Sequence, residues 1–140
     1  MSATDGVHEG GCLCGRVRYR IDGDLGPAAH CHCRSCRRAG GALAVTWITV
    51  ALARIAFTRE EPAAFESSPD VVRRFCPTCG TPLTYWNACT PDDVDVAVAT
   101  LDTPEDARVE FHVWTSHRLP DLHLDEHLPG YPEFKSARQT

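Results

Sequence analysis

Three cysteines fall within the short stretch His30-Cys31-His32-Cys33-Arg34-Ser35-Cys36-Arg37-Arg38. Thiolates this dense suit soft or borderline metal ions, zinc foremost. Two pairs flank the triplet, Cys12-x-Cys14 upstream and Cys76-x-x-Cys79 downstream. Together the outer pairs supply four thiolates, a complete set for a closed, tetrahedral, structural zinc. The triplet supplies three, and three protein ligands plus one exchangeable position is the pattern of a catalytic zinc. Cys89, the eighth cysteine, stands alone and reads as a small buried apolar residue outside either site. A fourth donor from Cys89, His30 or His32 would instead close the second site, and spacing alone allows both arrangements.

Charge narrows the chemistry of a three-thiolate centre. Three thiolates on a divalent ion leave the centre negative, and their electron donation weakens the metal as a Lewis acid. Such a centre is less suited than a three-histidine one to generating hydroxide at neutral pH. It is better suited to binding a substrate thiol, which loses its proton on coordination. Arg34, Arg37 and Arg38 are placed to offset that negative charge or to hold a substrate carboxylate in bidentate fashion. Arg37, next to the last ligand, is the candidate among them.

The elements that must position these groups read as short strands. In Arg16–Ile21, Val17, Tyr19 and Ile21 alternate with Arg16, Arg18 and Arg20, giving a half-buried strand with a solvated arginine face. Ala42–Val50 is an apolar, β-branched run, and 63–67 a further short strand before the Ser68-Pro69-Asp70 turn. Val71–Phe75 runs into Cys76, and Thr81–Trp86 runs away from Cys79, the hairpin of a zinc ribbon. Val94, Val96 and Val98 alternate, as do Val109, Phe111 and Val113 opposite Glu110, His112 and Trp114. No window of a dozen residues keeps a helical period. The expectation is an all-β, single domain of short antiparallel strands spanning 10–132, after a polar, flexible 1–9 and before a tail at 133–140.

Composition restricts the rest. With 14 Lys+Arg against 19 Asp+Glu, the surface lacks the basic excess that nucleic-acid binding requires. No apolar run approaches the roughly 20 residues that span a bilayer, and no signal peptide is visible, so a soluble, cytoplasmic protein is expected. In that reducing compartment eight cysteines point to metal or redox chemistry rather than to disulfides. Thiol–disulfide exchange at Cys76-x-x-Cys79 fits poorly, because the pair lies between strands rather than at a helix N-terminus.

The three clusters resemble a known family. Gly11-Cys12-x-Cys14-Gly15, Cys31-His32-Cys33-x-x-Cys36-Arg37 and Arg74-Phe75-Cys76-x-x-Cys79-Gly80-Thr81-x-Leu83 are similar, in order and spacing, to the glutathione-dependent formaldehyde-activating enzyme and centromere protein V family. The resemblance implies a compact Mss4-like, or β-tent, domain. It implies two zinc ions per chain: a structural one on Cys12, Cys14, Cys76 and Cys79, and a catalytic one on Cys31, Cys33 and Cys36. It further implies a carbon–sulfur lyase that joins formaldehyde to the glutathione thiol, giving S-hydroxymethylglutathione. A last-strand histidine, here His112, accompanies the pattern as a residue lining the pocket or approaching the zinc. Where the family often carries a tryptophan a few residues later, this chain has Arg118-Leu119-Pro120, which leaves the pocket's C-terminal wall to be built differently. The competing expectation is a non-catalytic zinc module that binds another protein.

Overall fold

The computed structural model describes residues 6–135. Ten strands dominate: β1 (Val7–Gly11), β2 (Arg18–Asp22), β3 (Pro27–Cys31), β4 (Val45–Ala51), β5 (Ile55–Phe57), β6 (Ala63–Ser68), β7 (Val71–Phe75), β8 (Pro82–Asn87), β9 (Asp93–Ala97) and β10 (Arg108–Val113). They form a three-stranded sheet, β1-β2-β5, and a seven-stranded sheet in the order β10-β3-β4-β9-β8-β7-β6. Tyr19 and Ile21 of the small sheet join Ile48, Val50, Val94 and Val96 of the large one in a single buried cluster. This is the all-β, Mss4-like architecture the sequence implies. Among the described residues, no helix is long and apolar enough to cross a membrane.

Strand alternation gives the large sheet two dissimilar faces. Ala28, Ile48, Val50, Val94 and Val96 turn into the core, whereas Ala29, Trp47, Thr49, Asp95 and Tyr85 line a cavity on the opposite side. Two register shifts re-aim side chains between the faces. The pairing of β7 with β8 slips between Arg74 and Phe75, so Leu83 is buried in the core while Tyr85, of the same parity, faces the cavity. A slip between Val109 and Phe111 does the same for β10: Val109 packs against the core and Phe111 lines the cavity.

Three features depart from the sequence reading. β1 occupies part of the stretch expected to be flexible: residues 7–11 pair along β2, burying His8 and Gly10, while residues 1–5 lie outside the described part. One ladder, β10 on β3, is parallel rather than antiparallel. A seven-residue helix, α1 (Arg34–Gly40), follows the first two cysteines of the triplet. The Cys33 Sγ caps it by accepting from the Cys36 N–H, so the ligand spacing itself supplies the helix start. The proline-rich C-terminal segment is pinned within the expected domain: Pro129 and Tyr131 exchange backbone hydrogen bonds with His112, extending the sheet beyond β10. Residues 136–140 of the expected tail lie outside the described part.

Candidate functional site

The outer cysteine pairs sit on two loops of the same design. Cys12 N–H donates to Val17 O and Gly15 N–H to Cys12 O; Cys76 N–H donates to Thr81 O and Gly80 N–H to Cys76 O. Gly15 and Gly80 close the loops at φ of +80° and +81°, a left-handed conformation that costs glycine little. The loops turn four sulfurs inward, all within 4.8 Å of one another. Cys12 Sγ is 3.5 Å from Cys14 Sγ, which is 3.8 Å from Cys76 Sγ. A disulfide would bring two sulfurs to about 2 Å. The edge of a zinc tetrahedron with bonds of about 2.3 Å is about 3.8 Å. The donor set therefore fits a closed metal site, and all eight cysteines are free.

Hydrogen bonds around this site lower the Cys12 and Cys79 thiols, whereas burial and the neighbouring sulfurs push Cys14 up to about 11. Val17 N–H points at Cys12 Sγ, and the Thr78 and Cys79 N–H groups point at Cys76 Sγ. Thr81 joins the two loops: its Oγ1 accepts from Leu13 N–H at 3.1 Å and lies 3.2 Å from Cys79 Sγ. That hydroxyl, with its own backbone N–H and that of the Cys14 loop, holds the Cys79 thiol down to about 5.

The second cluster brings Cys31 from the end of β3 together with Cys33 and Cys36 at the start of α1. Cys31 Sγ and Cys36 Sγ are 3.5 Å apart, again a tetrahedral edge rather than a bond. Among the described residues no fourth Cys, His, Asp or Glu joins the three. Cys89 is exposed and His32 turns to the other side, so the geometry is that of the three-donor arrangement rather than the closed one. Hydrogen bonds from Cys31 and Cys36, the Cys36 N–H and the nearby Arg73 charge hold the Cys33 thiol down to about 3. Hydrogen bonding to Cys33 and Cys36 pushes the Cys31 thiol far up.

The triad opens onto a cavity of about 870 Å³, bounded by the face of the large sheet, α1 and the C-terminal segment. Arg73 is the cation that reaches the sulfurs: its Nη1 and Nη2 lie 4.0 and 3.9 Å from Cys36 Sγ. The same guanidinium stacks 5.0 Å above the Tyr85 ring and donates through Nε to Ser67 Oγ. Arg37, the residue singled out by adjacency, does not line the cavity; its Nε is buried without a hydrogen-bond partner. Helical turning explains the exchange, since the residue after Cys36 points away from the triad while β7 runs past it. Arg73 carried no cysteine neighbour to mark it in the sequence.

His112 also lies off the cavity. It sits behind the triad on the opposite face of β10, where its Nδ1 is 2.9 Å from His32 Nε2 and its Nε2 donates to Asp125 O at 3.0 Å. His32 is fully buried, and burial, followed by the charges of His112, Arg118 and His30, lowers its pKa to about 4. The neighbouring His30 bridges Thr46 Oγ1 and Asp125 Oδ2, both at 2.8 Å. A layer of three imidazoles therefore backs the Cys31–Cys33 turn. The C-terminal wall left open by Arg118-Leu119-Pro120 is supplied by Trp114, which packs on His117 and Phe134 with all three lining the cavity.

A sequence profile of the glutathione-dependent formaldehyde-activating enzyme family matches residues 7–117. The chain belongs to that family. No curated protein matches it. A solved structure of a Rhodobacter sphaeroides protein is similar in fold, with a TM-score of 0.57 and 21% identity, covering 87% of this chain and 98% of that one. The family match spans all three cysteine clusters and ends at His117 on the cavity wall.

Proposed function

We propose that this chain is a zinc-dependent carbon–sulfur lyase-type enzyme that adds a small thiol to an aldehyde, glutathione and formaldehyde being the pair for which its family is named. One observation carries the reading: three clustered sulfurs, with no fourth protein donor among the described residues, open onto a cavity large enough for a small organic molecule. Two metal ions per chain follow from the two donor sets, and sulfur-rich, tetrahedrally spaced donors select zinc over harder cations. Bound at Cys31, Cys33 and Cys36, zinc would supply a position at which an incoming thiol is held as thiolate.

The chain's own residues do the remaining work. Arg73 places positive charge beside Cys36 and lowers the cost of gathering thiolates there. α1 and β3 fix the three sulfurs on rigid elements, so the nucleophile is presented from one direction only. The substrate sulfur's electron pair forms the new C–S bond as the C=O π pair moves to oxygen. The proton lost by the thiol is balanced by one gained at that oxygen, leaving a hemithioacetal. His112 acts as a positioning residue, holding His32 and with it the turn between Cys31 and Cys33.

The test is incubation of metal-loaded protein with formaldehyde and a panel of thiols, following adduct formation above the spontaneous rate. Acceleration that disappears in Cys36→Ser supports the reading. Protein carrying two metal ions that accelerates no thiol overturns it and leaves the binding-module alternative.

A further inference from the structure

The cavity says something about the body of the thiol, an inference that rests on the function proposed above. Along β3, Cys31 is followed on the same sheet face by Ala29, one step of about 7 Å away. Ala29 pairs with Phe111 of β10 on one side and with Trp47 of β4 on the other. A methyl group between two aromatic side chains on neighbouring strands makes a trough, and its end lies at the triad. Beyond Trp47, the Tyr85 ring extends the same wall, 6.1 Å away by ring centroids and tilted by 49°. Trp114 and Phe134 close the opposite side.

These aromatic rings are only partly buried, on an open face, in a protein whose core holds few of them. Aromatic walls on either side of a methyl floor are complementary to another ring. The charged groups on this face are Arg34, Arg38, Arg73, Lys135, Asp70 and Asp95. Asp95, 9% exposed, presents a carboxylate that accepts from Thr49 Oγ1 at 2.7 Å. Arg73, the inner cation, is engaged by Cys36, Tyr85 and Ser67. Arg34, Arg38 and Asp70 are exposed, where solvent screens them, and the exposed Lys135 reaches over Phe111, its Nζ 4.6 Å from the ring centroid. We infer that the site prefers thiols with an aromatic body joined to sulfur through a short alkyl link.

Phenylmethanethiol and glutathione are the probes, each with formaldehyde and metal-loaded protein. Binding is read independently of turnover by quenching of tryptophan fluorescence, since Trp47 and Trp114 line the cavity. The expected result is a KM for phenylmethanethiol about tenfold or more below that for glutathione. Ala29→Leu should fill the trough and erase that difference. Trp47→Ala, at a half-buried position, should weaken phenylmethanethiol selectively should Ala29→Leu fail to fold. Equal or tighter use of glutathione overturns this inference and leaves the proposed function standing. Fluorescence quenching by phenylmethanethiol, sensitive to Ala29→Leu but without turnover of either thiol, supports the aromatic trough and overturns the lyase reading. Neither binding nor turnover overturns both.

Discussion

The Arg73 guanidinium lies 3.9 Å from the Cys36 sulfur while stacked on the Tyr85 ring. It reaches the triad from β7 rather than from the arginines that neighbour Cys36 in sequence. Flat and permanently charged, it meets the sulfurs and the ring at once, which a lysine ammonium cannot do equally well. Arg73→Gln is expected to preserve the fold and reduce turnover by roughly tenfold, about 1.4 kcal/mol of lost stabilisation. Arg73→Lys should recover part of that loss. Steady-state kinetics with circular dichroism as a fold control checks the outcome; unchanged kcat/KM in Arg73→Gln would remove Arg73 from the site.

The two donor sets make opposite predictions for cysteine replacement. Cys76 is fully buried and its loop is tied through Thr81 to the loop carrying Cys12 and Cys14. Metal binding at structural thiolate sites is worth about 10–16 kcal/mol in small zinc modules, comparable with the whole stability of a domain. Cys76→Ser should therefore unfold the protein, as should exhaustive chelation. Cys36→Ser should fold, hold one metal instead of two, and be inactive. Metal analysis alongside thermal melting decides between these outcomes, and a folded Cys76→Ser protein with one metal would contradict the partition.

Much of this site was legible because its chemistry is local in sequence. The cysteine spacings reveal the ligand sets, and period-two patterns reveal β2, β9 and β10, because ligand knuckles and half-buried strands are set by neighbouring residues. What escaped depends on pairing across the chain. β1 is polar because only His8 and Gly10 face inward. β3 reads Pro-Ala-Ala-His-Cys, without β-branched residues, yet lies between β10 and β4. The helix α1 is too short for a hydrophobic period and takes its cap from a cysteine. Arg73 and the Ala29 trough become visible only once strand order and register place them beside the triad.

The Arg18–Asp102 pair predicts how stability responds to acid. Arg18 donates to Asp102 through both terminal nitrogens, tying β2 to the segment after β9. That hydrogen-bonded guanidinium depresses the Asp102 pKa below the ordinary carboxylate value. A carboxylate whose folded pKa is depressed contributes stability above its unfolded pKa and loses it as pH falls through the folded one. The pair is half exposed, so its worth is at most about 1 kcal/mol and falls with salt. Asp102→Asn should lower the melting temperature at neutral pH by a few degrees and flatten its decline below about pH 4. Melting curves against pH at low and high salt test this; an unchanged acid limb would show the pair to be inert.

The imidazole layer behind the triad fixes its own tautomers. His112 Nε2 faces the Asp125 carbonyl, an obligate acceptor, so that nitrogen carries the proton. With Nδ1 as the acceptor, it receives a hydrogen bond from His32 Nε2, 2.9 Å away. Both rings then carry a proton on Nε2, with their planes stacked at 29°. Replacing His112 by Leu leaves the buried His32 N–H without an acceptor, a loss of about 1–3 kcal/mol. Asn at that position offers a carbonyl and should restore part of it. The tautomers are directly observable: nitrogen-15 shifts should report an unprotonated Nδ1 and a protonated Nε2 on both residues, with the His32 pattern altered in His112→Leu. Should His32 instead carry its proton on Nδ1, the hydrogen-bond direction, and with it the positioning role of His112 behind Cys31 and Cys33, would be wrong.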